Sequence, residues 1–235
     1  MKLTKLNIIT KTEKYPIIIG SNLTSNVSKI FKSNSIDFDK CLIVIDKKIP
    51  KKFISNIKKS LKNKKIYVLF FNASEKNKNL NSVNKILEIL LKENFSRNDC
   101  LISLGGGIIG DVSGFVASLF KRGLKFVNIP TTLLAQVDSS IGGKTGVNSK
   151  FGKNLIGSFY QPSLVISDTQ FLKSLSKREI ICGYGEILKH ALILDKKFFL
   201  WLNKNGKKII DEKNLELLKL AIIKSCKIKS NIISK

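Results

Sequence analysis

Arginine and histidine are scarce in this chain of 235 residues. It contains three arginines (Arg97, Arg122 and Arg178) and a single histidine, His190. Lysine supplies nearly all of the 42 basic side chains, which outnumber 17 acidic ones and give a formal net charge of +25. Specific recognition of nucleic acid favours arginine, because its planar fork binds phosphates and guanine through two hydrogen bonds. The shortage of arginine therefore predicts that the positive charge does not mark a specific nucleic-acid partner.

Closely spaced cysteines and long apolar segments are also absent from the sequence. The four cysteines, Cys41, Cys100, Cys182 and Cys226, are far apart and lack the C-x-x-C spacing of zinc sites. No stretch reaches the ~18 consecutive apolar residues of a membrane-spanning helix. The N-terminus lacks the apolar core of a signal peptide. These absences predict a cytoplasmic protein that does not cross a membrane.

Two kinds of apolar pattern alternate along the first 175 residues. Residues 41–45, 66–71, 100–104 and 125–129 have the composition of buried strands, whereas 51–61 and 80–91 have the apolar spacing of helices. This alternation predicts an α/β domain with a Rossmann-like parallel sheet covered on both faces. After residue 175 only helical spacing continues, beginning with a predicted capping box at Ser176 and Glu179 and interrupted at Asn205-Gly206. We therefore predict an α/β domain over 1–175 and an all-helical domain over 176–235.

The segment between residues 105 and 161 has the composition of a binding site. Three glycines, Gly105 to Gly107, follow a predicted strand and precede helical spacing, an arrangement that points backbone N–H groups at a phosphate. Predicted loops between residues 131 and 154 then combine glycines, hydroxyls, a carboxylate and lysines. Ligands of parallel sheets bind at the carboxyl ends of the strands. The sequence therefore predicts a site for a polyanionic, polyhydroxylated ligand at that edge of the sheet.

Three blocks of the sequence resemble the signature blocks of the 3-dehydroquinate synthases, members of the sugar-phosphate cyclase superfamily. They are IPTTLLAQVDSSIGGKTGVN from Ile129, GKNLIGSFYQP from Gly152 and GYGEILKH from Gly183. The resemblance implies an enzyme that uses NAD and a divalent metal, zinc or cobalt. Its reaction would convert 3-deoxy-D-arabino-heptulosonate 7-phosphate to 3-dehydroquinate and phosphate in the shikimate pathway. The implied steps are oxidation of an alcohol by NAD, elimination of phosphate, reduction of the ketone and closure of the ring by an aldol step.

The resemblance also implies which residues contact the ligands. The cofactor residues would be Asp46, Glu75, Lys78, Gly107, Ile108, Ile109, Gly110, Asp111, Thr131, Thr132, Lys144, Lys153, Phe171, Leu172, Lys173 and Ser174. The catalytic and substrate-binding residues would be Arg122, Asp138, Lys144, Lys153, Asn154 and Lys189, with Arg122 acting across the interface of a homodimer. One departure weakens the contact at Glu75, because Ala73-Ser74 replaces the Asp-Gly pair that precedes it in the family.

Glu186 matches the first metal ligand of the family. The other two ligands are histidines in a block that this sequence does not contain, and His190 lies at neither position. Glu186 and His190 are i,i+4 neighbours that could share an ion, but we interpret His190 as a hydrogen-bonded helix residue. A catalytic zinc has three protein ligands. We therefore expect a truncated chain that has no synthase activity by itself.

Other functions remain open from the sequence alone. They are another sugar-phosphate cyclase, a relative of the polyol dehydrogenases, and a truncated, non-catalytic chain that binds NAD or dimerises. Asp138 and the glycine-flanked Lys144 and Lys153 favour dehydroquinate synthase over the first two.

Overall fold

The computed structural model describes residues 3–10 and 13–234, which fold into nine strands, seven α-helices and short connecting turns. The strands are β1 (Thr4–Ile9), β2 (Lys14–Gly20), β3 (Lys40–Asp46), β4 (Lys65–Phe71), β5 (Cys100–Gly105), β6 (Lys125–Pro130), β7 (Lys144–Ser149), β8 (Gly152–Phe159) and β9 (Leu164–Asp168). The helices are α1 (Val27–Ser33), α2 (Lys51–Ser60), α3 (Leu80–Lys92), α4 (Gly107–Leu119), α5 (Lys177–Leu194), α6 (Lys196–Ile210) and α7 (Leu215–Ile233). Short 3₁₀ turns lie at Leu23–Asn26, Glu75–Asn77, Phe120–Arg122 and Thr169–Ser174, and a π-helical turn lies at Ala135–Ser139. None of the described helices is long and apolar enough to cross a membrane.

Seven of the strands form one sheet in the order β1-β2-β9-β6-β5-β3-β4. Five of the neighbouring pairs are parallel, and β1 pairs with β2 in the antiparallel sense at one edge. The central strands β3, β5 and β6 are covered on both faces, so their sequences are almost continuously apolar. The predicted α/β fold with a Rossmann-like sheet is therefore confirmed, with one antiparallel strand added.

Three groups of helices cover this sheet. Helices α1 and α2 pack on the face that carries Ile43, and α3 and α4 pack on the opposite face, which carries Leu42 and Val44. Helices α5, α6 and α7 share a core with β1, β2 and β9, in which Ile17 and Ile222 are fully buried. The helical segment therefore packs directly on the sheet. The division into domains at residue 175 stays a proposal.

Two local predictions from the sequence are wrong. The segment around Lys144 to Asn154, predicted as loops, forms the antiparallel hairpin β7–β8, because its apolar positions are too few to show strand alternation. Helix α6 continues through Asn205-Gly206, where we predicted a break. Burial of Leu202 and Ile209 on either side offsets the cost of about 1 kcal/mol that glycine imposes on a helix. The capping box at Ser176 and Glu179 is present.

Asp168 at the end of β9 is expected to be important for stability. Its Oδ1 accepts hydrogen bonds from the backbone N–H groups of Asn22 and Gln170, each at 3.0 Å, and its Oδ2 accepts one from Thr24 at 3.1 Å. Asp168→Ala leaves three N–H groups without this acceptor, so we expect a loss of about 3 kcal/mol in the free energy of unfolding, measured with urea.

The matched control for Asp168 is Asp211→Ala, which removes the exposed ion pair between Lys177 and Asp211. Exposed pairs contribute at most about 1 kcal/mol. Equal losses in the two variants would contradict the assignment of Asp168 as the acceptor that joins these segments.

Candidate active site

The first feature of the site is the glycine turn between β5 and α4. β5 ends at Gly105, and α4 begins at Gly107. Among the described residues, no side chain caps the first turn of α4, and that turn contains no acidic residue. Its first backbone N–H groups therefore lack intrahelical acceptors and lie at the positive end of the helix dipole. This arrangement fits an anionic group such as a phosphate.

Three predicted cofactor residues surround the glycine turn. The N–H of Thr131 donates to the carbonyl of Gly105 at 2.9 Å, which joins the end of β6 to the end of β5. A Cβ atom on Gly106 would lie 3.3 Å from Cγ2 of Thr132, and one on Gly105 would lie 3.2 Å from Cβ of Asp46. The strand ends therefore bring Asp46, Thr131 and Thr132 next to the glycine turn.

Lys78 is the buried centre of a partly buried polar cluster beside the glycine turn. Its ammonium lies 2.5 Å from Oδ2 of Asp111 on α4 and donates to Oδ1 of Asn154 at 2.6 Å. Only 5% of Lys78 is exposed. Burial raises the pKa of the Asp111 carboxyl, and the hydrogen bond from Lys78 opposes that rise. Two predicted cofactor residues and one predicted substrate residue are thus held together.

A second, exposed cluster connects the turn before α3 to the hairpin. The side-chain amide of Asn148 donates to Oε2 of Glu75 at 2.8 Å, and its Oδ1 accepts from the backbone N–H of Asn154 at 3.0 Å. The ammonium of Lys153 lies 3.9 Å from the same oxygen of Glu75. Glu75 and Lys153 are accessible to a ligand.

A cavity of about 920 Å³ lies between α4, the hairpin β7–β8 and the end of α7. Four predicted site residues line it: Asp111, Asp138, Lys144 and Asn154. Its other lining residues include Ser139, Gly142, Thr145, Ser158, Gln161 and Lys229. A cavity of this size, lined by hydroxyls, amides and charges of both signs, suits a small polyhydroxylated anion.

The π-helical turn Ala135–Ser139 brings Asp138 to the cavity wall. The ammonium of Lys229 on α7 bonds to the carboxylate of Asp138 and, at 2.5 Å, to its backbone carbonyl. Lys229 was not predicted from the sequence. Its only signal was a position on an amphipathic helix, which does not distinguish it from the many surface lysines.

Hydroxyl and amide residues of the cavity were also missed. Thr145 donates to the carbonyl of Ser158 at 2.9 Å, and the Ser158 hydroxyl donates to Ser118 on α4 at 2.8 Å. Gln161 donates to the carbonyl of Gly142 at 3.2 Å. Three of them, Thr145, Ser158 and Gln161, fall within the blocks singled out above. Their spacing in the sequence alone does not predict that they line the same cavity.

Glu186 lies on α5 in a hydrogen-bonded group. Its Oε1 is 2.5 Å from the ammonium of Lys189 and 3.1 Å from Nε2 of His190. The Nδ1 of His190 lies 2.6 Å from the hydroxyl of Ser225 on α7. Burial lowers the pKa of His190, which favours the neutral imidazole. The interpretation of His190 as a hydrogen-bonded helix residue fits these contacts.

The remaining predicted residues are not among the described residues that line the cavity, and Arg122 lies beyond the C-terminal end of α4, away from the glycine turn. Arg122 is exposed, with a left-handed φ of 63°. Phe171 and Leu172 are buried in the cores beneath the sheet edge, whereas Lys173 and Ser174 are exposed. Ile109 is buried, and Ile108 and Gly110 are partly exposed along the first turn of α4.

Two family models match the sequence. The model of the 3-dehydroquinate synthase N-terminal region matches residues 68–182, and that of the C-terminal region matches residues 183–235. The chain belongs to the 3-dehydroquinate synthase family. The resemblance drawn from the three signature blocks is therefore confirmed.

Curated relatives of the family extend beyond this chain. The 3-dehydroquinate synthase of Pelagibacter ubique is 66% identical over 233 residues, which cover 99% of this chain and 63% of the relative. The chain thus spans less than two thirds of the relative's length.

Solved structures of two cyclases share the fold. A 2-deoxy-scyllo-inosose synthase in complex with carbaglucose-6-phosphate, NAD+ and Co2+ superposes with a TM-score of 0.86 at 24% identity, over 99% of this chain and 63% of the other. The 2-epi-5-epi-valiolone synthase of Streptomyces hygroscopicus, with NAD+ and Zn2+ bound, gives 0.83 at 26% identity, over 97% of this chain and 62% of the other.

The two cofactors expected for a 3-dehydroquinate synthase fit this structure unequally. The uncapped start of α4 and the close packing of Gly106 and Gly107 form a cradle that fits a dinucleotide phosphate. A divalent metal does not fit the described residues in the same way. Within 3–10 and 13–234, no group of three His, Cys, Asp or Glu side chains could hold an ion. Nε2 of His190 lies 3.1 Å from Oε1 of Glu186.

Proposed function

We propose that the protein is a 3-dehydroquinate synthase that binds NAD at the carboxyl edge of its sheet. The observation that carries the proposal is the uncapped first turn of α4, which follows a glycine turn packed against Thr132 after β6 and Asp46 at the end of β3. The turn suits the pyrophosphate, and Asp46 suits a ribose hydroxyl. Lys78, Asp111 and the Glu75 cluster border the same edge. The names of the family models and of the Pelagibacter relative support this proposal.

The cavity beside α4 is proposed to hold the substrate, 3-deoxy-D-arabino-heptulosonate 7-phosphate. NAD, when bound, would accept a hydride from the substrate and return it later. Lys144 and Lys229 would bind the phosphate and carboxylate of the substrate as cations, with Lys153 at the outer rim. Lys144 and Lys153 are proposed to contact NAD as well. Because Lys229 is paired with Asp138, an incoming anion would compete for that ammonium and free the carboxylate to accept a substrate hydroxyl.

Three further parts of the proposal concern Glu186, Arg122 and the location of the protein in the cell. Glu186 is proposed as one ligand of zinc or cobalt and Lys189 as a substrate lysine, but the described residues complete no metal centre. The exposed Arg122 is proposed to serve the phosphate site of a second subunit in a homodimer. The cytoplasm is the proposed location.

The function is tested by release of phosphate from the substrate in the presence of NAD and zinc or cobalt. We expect no measurable release by the 235-residue polypeptide, because it supplies one predicted metal ligand where catalytic zinc has three. In a chimera, this chain replaces the matching 233 residues of the Pelagibacter relative. We expect the chimera to release phosphate and form dehydroquinate, and Glu186→Ala to abolish both.

The two outcomes separate two parts of the account. Turnover by the 235-residue polypeptide at a rate near that of the chimera would contradict the description of the metal site. A folded chimera that binds NAD but does not turn over would contradict the proposed reaction.

A further inference from the structure

The backbone directly before Lys144 has an unusual conformation. Gly142 and Gly143 have φ angles of 104° and 67°, which lie in the left-handed region that favours glycine. Lys144 follows as the first residue of β7 and lines the cavity. The direction of its side chain therefore depends on a turn of two residues that, in isolation, have more conformational freedom than any others.

Tyr15 on β2 holds one side of this turn. The backbone N–H of Gly142 donates to the phenolic oxygen of Tyr15 at 3.1 Å. Only 2% of Tyr15 is exposed, and its ring packs in the core that joins β2 to α5 and α7. Burial raises the pKa of Tyr15 to about 12, so the phenol stays neutral and its oxygen is available as an acceptor. The acceptor is fixed in place by a rigid core.

Gln161 holds the other side. Its amide nitrogen donates to the carbonyl of Gly142 at 3.2 Å, and the backbone N–H of Tyr160 donates to the carbonyl of Gly143 at 2.7 Å. A Cβ atom on Gly143 would overlap the side-chain amide of Gln161. Both hydrogen-bonding groups of Gly142 are therefore held by side chains that lie 127 and 19 positions away in the sequence.

We propose that Tyr15 and Gln161 are positioning residues, which fix the Gly142-Gly143 turn and so direct Lys144 into the cavity. The inference rests on the proposed function, in which Lys144 contacts NAD as well as the substrate held in that cavity. Neither side chain is required to touch the reacting atoms. Their effect on a ligand is transmitted through Lys144.

A double-mutant cycle on NAD binding tests this transmission. Tyr15→Phe keeps the ring and removes the acceptor, and we expect the Kd for NAD to rise about 5- to 10-fold, as for one lost hydrogen bond. Lys144→Met should weaken binding by at least as much. If Tyr15 acts through Lys144, Tyr15→Phe will have almost no further effect in the Lys144→Met background. Independent, additive effects in the double variant would overturn the proposal.

Two companion variants separate positioning from general stability. Tyr184→Phe also removes one hydrogen bond between a tyrosine and the backbone, here one that the hydroxyl donates to the carbonyl of Leu202 at 2.9 Å. It should lower the urea midpoint about as much as Tyr15→Phe and leave the Kd for NAD unchanged. Gln161→Met should raise the Kd as Tyr15→Phe does. If Tyr184→Phe changes the Kd as much as Tyr15→Phe does, Tyr15 has only a structural role, and the proposal is contradicted.

The hydrogen-exchange rate of the Gly142 amide tests the conformation of the turn in the absence of a ligand. In Tyr15→Phe the amide proton of Gly142 should exchange at least about 10-fold faster, because its acceptor is gone. Unchanged exchange would overturn the proposed contact itself. If the native chain protects the Gly142 amide from exchange and yet fails to bind NAD, that result contradicts the proposed function but not the contact between Tyr15 and the turn.

Discussion

Gly107→Val is expected to abolish binding of NAD. A Cβ atom on Gly107 would lie 3.1 Å from the hydroxyl of Ser139, so a branched side chain would displace the π-helical turn and cover the first N–H groups of α4. Hydrogen bonds to a charged phosphate contribute about 1.5–3 kcal/mol each. The loss of two such bonds would weaken binding by at least about 100-fold. Calorimetric titration of the 235-residue polypeptide with NAD measures this directly.

The matched control is Gly185→Val on α5. Apart from Gly185 itself, its chain neighbours and the nearby backbone of α5, no described atom lies within 4 Å of the Cβ position at Gly185, so valine can be added there without a clash. We expect this variant to bind NAD as the native chain does. Equal titration curves for Gly107→Val and the native chain would show that the pyrophosphate does not lie at the start of α4.

Lys78→Met is expected to destabilise the fold strongly and in a pH-dependent way. The substitution leaves the half-buried Asp111 without the ammonium that lies 2.5 Å away. Loss of one partner of a buried ion pair costs about 3–5 kcal/mol. We expect about 3 kcal/mol at neutral pH, because part of the Asp111 side chain remains accessible to water. Urea unfolding measures the loss.

The sign of the pH dependence follows from Asp111. Burial already raises the pKa of Asp111, and the hydrogen bond from Lys78 is the largest effect that lowers it. Without Lys78 the pKa rises further, so the folded variant binds a proton more readily than the unfolded chain does. Its stability is then highest below the unfolded pKa and falls as the pH rises through the folded pKa. The deficit of Lys78→Met relative to the native chain should therefore shrink at acid pH.

Lys153→Met is the control for this prediction. Its ammonium lies 3.9 Å from Glu75, and both side chains are more than half exposed. The pair should contribute little at any pH. A deficit of Lys78→Met that is as large at acid pH as at neutral pH would contradict the account of Asp111.

The fold was predictable because its strands and helices have strong local patterns. The buried strand at Cys100 and the glycines that follow it specify a strand, a turn and a helix within 20 residues of sequence. The position of that turn at the carboxyl edge then follows from the parallel sheet. The hairpin β7–β8 was missed because glycines and polar residues occupy most of its positions, and its exposed faces require no apolar alternation.

The cavity was only partly predictable. Lys229 and Asp138 are 91 positions apart, and Tyr15 and Gly142 are 127 apart. Such pairs arise when α7 and β2 pack against the π-helical turn, and no periodicity in the sequence connects them. In a chain with this many lysines, the one that reaches the cavity cannot be distinguished by residue type.

A crystal structure of the 235-residue polypeptide with NAD would test the central claim most directly. The account predicts the pyrophosphate within hydrogen-bonding distance of the backbone N–H groups at the start of α4, with a ribose hydroxyl at Asp46 and Lys144 directed toward the ligand. NAD bound away from the carboxyl edge of the sheet, with the first turn of α4 in contact with solvent, would contradict it.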